Sequence, residues 1–89
     1  MLLTIKITSA YKKSYKRMKK RGLDINLLDD VISTLQHGEV LDEKYHDHEL
    51  KGFRECHIQP DWLLIYFIED DILTLTLVDT GSHSDLLDF

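Results

Sequence analysis

Five polar residues in the second half of the chain are of types that could do chemistry together: His46, His48, His57, Asp61 and His83. Imidazole titrates near neutral pH, so histidines gathered beside a carboxylate suit general acid/base work. RNA cleavage needs such a set. One base takes the proton from a ribose 2′-hydroxyl, and one acid protonates the departing 5′-oxygen. A cation or donor steadies the phosphorane between them. No metal is required in principle, and Arg54 or Lys51 could supply the positive charge. His46 and His48, with Asp47 between them, also offer nitrogen and oxygen ligands, but the pattern is weak and assures no third ligand. Plainer readings stand beside these. A single histidine is commonly a surface residue, Asp61 after Pro60 favours a turn, and Trp62 is of a type usually found in a core.

The elements that must position these residues follow from periodicity. Leu3 to Ile7 alternates apolar and polar, as a half-buried strand does. Ser9 is placed to cap a helix whose buried stripe is Tyr11, Tyr15 and Met18 and whose stop is Gly22. A second helix starts near Asp24 or Asn26, with Asn26 and Asp29 resembling a capping box, and runs to Gly38 on Leu28, Val31, Ile32 and Leu35. Residues 38–52 read as a polar connection. Phe53 to Ile58 then alternates with period two. If Cys56 and Ile58 face the helices, with Arg54 at the start of that face, His57 faces the open side with Phe53 and Glu55. Pro60-Asp61 predicts a tight turn, Trp62 to Ile68 a central strand, Glu69-Asp70-Asp71 a hairpin turn, and Ile72 to Val78 a last strand. The order β-α-α-β-β-β predicts an α+β domain, with a two-helix hairpin packed on a mainly antiparallel four-stranded sheet.

Composition narrows the class. Eighty-nine residues make one small domain, residues 1–89, with no room for a second core. No apolar run reaches the roughly 18–20 residues of a membrane span, and Lys6 interrupts the apolar start, which argues against a signal peptide. One cysteine, Cys56, excludes an internal disulfide and a cysteine-based zinc site, and suits a reducing, cytoplasmic setting. The net charge of −5 is unevenly spread. Residues 1–23 hold eight basic and no acidic residues, whereas residues 24–89 hold three basic and sixteen acidic ones. The mean charge argues against nucleic acid as a partner. The stripe from Lys12 to Arg21, with Lys13, Lys16 and Arg17, reopens it.

Three runs carry a more specific signal: Tyr45-x-Asp47-His48-x-Leu50-x-Gly52, Phe53-Arg54-Glu55-Cys56-His57-Ile58-x-Pro60-Asp61-Trp62-Leu63-Leu64-Ile65-Tyr66, and Thr80-Gly81-Ser82-His83-Ser84-x-Leu86. They resemble the YafQ branch of the RelE/ParE toxin superfamily over nearly the whole chain. The resemblance implies the toxin of a type II toxin–antitoxin pair, a ribosome-dependent endoribonuclease that cuts mRNA in the A site without a metal or other cofactor. It implies an active site of His48, His57, Asp61 and His83, with Trp62 and Phe89 positioning the RNA. His83 would be the acid, and His48 or His57 the base, with Asp61 orienting the base or accepting its proton. Lys51 and Arg54, and the helix residues Lys12, Lys13, Lys16 and Arg17, would contact RNA. Its partners would be the ribosome, mRNA and an antitoxin of ribbon-helix-helix or similar type that links it to operator DNA; a membrane is not among them. A ParE-like gyrase inhibitor, or a weakened toxin acting within an antitoxin complex, is the alternative. Three departures bear on this. The loop after Gly52 is about four residues shorter than in close relatives. Asp79 stands where many relatives have arginine, and a carboxylate there would repel a phosphate. Phe89 falls a few residues late.

Overall fold

The computed structural model describes residues 2–87. Its elements are β1 (Thr4–Ile7), α1 (Ser9–Lys20), α2 (Ile25–Gln36), a short 3-10 turn at Glu43–Tyr45, β2 (His48–Leu50), β3 (Phe53–Gln59), β4 (Trp62–Glu69), a second 3-10 turn at Asp70–Ile72, and β5 (Thr74–Gly81). The α+β class and the helical hairpin on one sheet face agree with the sequence reading.

The helix starts move slightly. Thr8, not Ser9, caps α1, because Thr8 is still extended (φ −86°, ψ 163°) and its hydroxyl accepts from the Tyr11 N–H at 3.0 Å. Asp24 alone caps α2, accepting from the Asn26 N–H. Gly22 ends α1 at φ +84°, a conformation that costs a side-chain-bearing residue strain. The Leu23 N–H reaches back to the Met18 carbonyl and the Gly22 N–H to that of Lys19. Gly38 closes α2 with the same pair of bonds.

The sheet has five strands rather than four, in the order β1-β5-β4-β3-β2. The added strand is β2, three residues that pair antiparallel with β3, too short for a period-two signal to register. β1 runs parallel to β5, so the sheet is mixed. The β2–β3 connection is tight. Leu50 pairs with Phe53, and Lys51 (φ +50°) and Gly52 (φ +86°) alone turn the chain, as in a two-residue hairpin of the I′ kind. The Glu69-Asp70-Asp71 turn is one step of 3-10 helix instead, and β5 therefore starts at Thr74 and runs on to Gly81.

Both faces of β4 are covered, which explains its unbroken apolar run. Trp62, Leu64 and Tyr66 pack towards the helices with Met18, Leu28, Val31, Cys56 and Leu75. Leu63 and Ile65 point the other way, against Leu86, with Leu50, Phe53 and Val78 beside them. Cys56 is fully buried, and burial pushes its thiol up to about 12, so it is an inert core residue. Among the described residues no helix is long and apolar enough to cross a membrane.

Candidate active site

Alternation along β3 sends Cys56 and Ile58 into the helical core and leaves His57 on the opposite face. A register shift between His57 and Gln59 lets β3 bend as it meets the Pro60-Asp61 turn. Three further imidazoles surround His57. The ring centroids of His46 and His83 each lie 5.7 Å from it, and that of His48 lies 6.3 Å away.

The four rings sit in unlike surroundings. The His57 Nδ1 atom is buried and has no hydrogen-bond partner among the described residues. Burial lowers the His57 pKa below its ordinary value of 6.5; Glu55 opposes this, while His83, His46 and His48 act with it. His83 is built differently. Its Nδ1 meets the Asp61 carboxylate at 2.7 Å, and its backbone N–H donates to the same oxygen at 2.9 Å. These two bonds hold the Asp61 carboxyl below the usual range, the backbone N–H most of all. The contact orients the His83 ring and leaves Nε2 as its outward nitrogen. His48 is bracketed: Nδ1 lies 2.8 Å from the His46 carbonyl and Nε2 lies 3.3 Å from Glu55. Both contacts are hydrogen bonds only when each nitrogen carries a hydrogen.

Two carboxylates anchor the segments that carry these rings. Asp47 lies between His46 and His48 and points to the other side. It accepts from the Tyr66 hydroxyl at 2.5 Å and from Arg54 at 2.8 Å (Nη2) and 3.3 Å (Nε). This holds His46 in a left-handed conformation (φ +49°) that a non-glycine residue adopts only under constraint. Asp85 does the same for the loop of His83. It accepts from both terminal nitrogens of Arg21, at 2.7 and 3.1 Å, and from the Ser82 N–H at 2.9 Å. The Arg21 guanidinium holds the Asp85 carboxyl well below the usual carboxylate range, and the Ser82 N–H adds to this. Arg17 approaches the same carboxylate at 3.6 Å.

The structure thus brings His48, His57, Asp61 and His83 together and adds His46. Other residues fall elsewhere. Trp62 is 1% exposed, and its indole N–H donates to the Thr80 hydroxyl, so it supports the site from the core and offers RNA no ring face. Arg54 shares the helical face with Tyr66 and is taken up by Asp47, so it positions the histidine segment and is not a free phosphate ligand. Asp61 orients His83, the expected acid, rather than a base. Lys51 is exposed in the β2–β3 turn. Lys12, Lys13 and Lys16 are exposed on α1, whose last turn is tied to the His83 loop. Asp79 is half-buried, and its carboxylate accepts from the Thr80 N–H at 2.8 Å. Phe89 lies outside the described residues. Among those residues, no three His, Cys, Asp or Glu side chains are arranged to hold a metal ion.

Comparison with known proteins places the chain in a family. Residues 3–88 match the model of a family described as a bacterial toxin of type II toxin–antitoxin systems, YafQ. The mRNA interferase toxin YafQ of Escherichia coli K12 is 36% identical over 87 residues, which span 92% of each chain. A metal-bound toxin from Helicobacter pylori superposes with a TM-score of 0.90 at 45% identity, covering 96% of this chain and 99% of that one. YafQ in the E. coli DinJ–YafQ toxin–antitoxin complex superposes with a TM-score of 0.88 at 34% identity, covering 97% and 98%. With the match running almost end to end, the chain belongs to the YafQ family of type II toxin–antitoxin toxins.

Proposed function

We propose that this toxin is an mRNA interferase that cuts messenger RNA in the ribosomal A site by metal-independent acid/base chemistry, and that a cognate antitoxin silences it. The E. coli relatives support the activity, and the DinJ–YafQ complexes support the partner. The observation that carries the mechanism is the pair of unlike imidazoles, His57 and His83, 5.7 Å apart.

Catalysis needs one ring that is neutral and one that carries a proton to give. His57, whose buried surroundings disfavour its charged form, is the base. It takes the proton from the ribose 2′-hydroxyl, and the 2′-oxygen attacks phosphorus. The bond from phosphorus to the 5′-oxygen breaks, and that oxygen takes the proton from His83 Nε2. The products are a 2′,3′-cyclic phosphate and a 5′-hydroxyl. Asp61 keeps His83 in register throughout. His48, with one nitrogen at the His46 carbonyl and the other at Glu55, stands beside His57 and helps to shape the cleft for the reacting phosphate.

The test is cleavage of mRNA by the purified toxin, with and without programmed ribosomes, in EDTA, with the new 5′ ends mapped. Ribosome-dependent cuts within the A-site codon support the reading. Cutting that requires an added metal ion, or binding to gyrase with no cutting at all, overturns it.

A pH profile tests the base. The reaction needs neutral His57, so kcat falls as pH drops through the pKa of that ring. The acidic limb is expected below pH 6.5, because burial lowers this pKa. A limb lying above 6.5 removes His57 from the role.

The basic helix gives a separate prediction. Reversing Lys12, Lys13, Lys16 and Arg17 to Glu is expected to weaken ribosome binding. It should also flatten the plot of log affinity against log salt by about 3, near 0.7–0.9 for each phosphate no longer neutralised. An unchanged slope means that this face does not touch RNA.

A further inference from the structure

A cavity of about 580 Å³ opens directly beside the histidine cluster, with His46 and His57 forming one wall. It lies where the first turns of α2 approach the Glu43–Tyr45 turn and the end of β3. Leu27 and Ile58 supply apolar surface, and Tyr45 supplies an aromatic ring. The Lys44 ammonium lies 5.2 Å from the centre of that ring. Asp30 and Gln59 bring polar groups to the same cavity.

We propose that this cavity is a nucleobase subsite, which takes the base of a nucleotide flanking the scissile phosphate and so contributes to the choice of codon. The inference rests on the nuclease reading above, since it places the reacting ribose at His57. An aromatic ring beside apolar surface is what a flat heterocycle stacks on. The Lys44 ammonium sits over one face of the Tyr45 ring, so a base that stacks on that face displaces it and leaves it free to meet the adjoining backbone phosphate. The Asp30 carboxylate accepts hydrogen bonds and donates none, so it favours bases that present an exocyclic amino group, adenine, cytosine or guanine, over uracil. Gln59 can donate or accept and completes the edge readout. Continuity with the imidazole wall favours an RNA base over an antitoxin side chain as the occupant.

Two measurements test this. In the first, the toxin is titrated with each of the four nucleoside 3′-monophosphates and followed by NMR. Shifts at the Leu27 and Ile58 methyls and the Tyr45 ring, together with His57, are expected, and they should be weakest for the uridine compound. Shifts confined to the histidines overturn the subsite. In the second, codon distributions of ribosomal cleavage are compared for the wild type, Tyr45→Ala and Asp30→Asn. Tyr45→Ala is expected to cut favoured codons roughly tenfold more slowly, the size of one missing base–aromatic stack. Asp30→Asn should shift the distribution towards uracil, and neither variant should lose antitoxin binding. Cutting with unchanged codon preference overturns the proposal. So does loss of antitoxin affinity with preference intact, which would assign the cavity to the protein partner. A wild type that cuts no codon fails the nuclease reading instead, and the mononucleotide titration still decides the cavity.

Discussion

Replacing His83 with alanine lowers kcat for A-site cleavage by about 10²- to 10⁴-fold, the usual loss when a positioned acid is removed. The reason is the geometry of its two nitrogens. Nδ1 is spent on Asp61, so in the proposed mechanism Nε2 is the atom left to protonate the 5′-oxygen. The ring is exposed, so its removal is expected to leave the fold in place. Single-turnover cleavage on programmed ribosomes measures the loss, and titration with the antitoxin checks the fold. A variant that cuts at the wild-type rate takes His83 out of the chemistry. A leaving group of low pKa sharpens the test. If the 5′-oxygen departs as a stabilised phenolate it needs no acid, so a substrate of that kind should recover much of the lost rate.

Asp47→Ala is expected to cost about 1.5–3 kcal/mol of stability, the range for hydrogen bonds to a charged group. In a domain of this size that corresponds to a fall in Tm of roughly 10 °C. It deprives the Tyr66 hydroxyl and the Arg54 guanidinium of their shared acceptor. The larger effect is expected in activity. With the carboxylate gone, His46 keeps at φ +49° only its N–H bond to the Glu43 carbonyl, and the contact of His48 Nδ1 with the His46 carbonyl is expected to loosen. Cleavage should therefore drop at least tenfold at a temperature where the variant is fully folded, although every catalytic histidine remains. Circular dichroism at the assay temperature separates the two effects. A folded variant with wild-type kcat would mean that the histidine segment holds its shape unaided.

Alternation alone made the facing of His57 legible, whereas the grouping of His48, His57, Asp61 and His83 came from the family resemblance. Once Cys56 and Ile58 were placed against the helices, His57 had to face the other way, and the structure keeps that arrangement. Glu55 was placed on the same face, but its partner His48 comes from β2, a strand too short to show a period. The roles of Asp47 and Asp85 were hidden for another reason. Each acts through residues distant in sequence, Tyr66 at 19 positions and Arg21 at 64, and no local pattern encodes such pairs. Trp62 and Arg54 misled in the opposite way. Both are residue types that often touch RNA, and only the packed structure shows the indole buried and the guanidinium taken up. The sequence marked the loop after Gly52 only as short. In three dimensions it is a regular two-residue turn that keeps β2 in register with β3.

The parallel pairing of β1 with β5 has a consequence for how the toxin comes into being. The last strand lies between β1 and β4, and the Thr8 hydroxyl bonds the Val78 carbonyl 70 residues further along. The sheet cannot close until its final strand is available, and closing so long a loop makes folding slow relative to a helical protein of this size. His83 follows that strand, so the acid is among the last groups to reach its place. The hairpins of β2, β3 and β4 with three of the four imidazoles therefore do not by themselves make the proposed catalytic centre, which waits on the docking of β5 between β1 and β4.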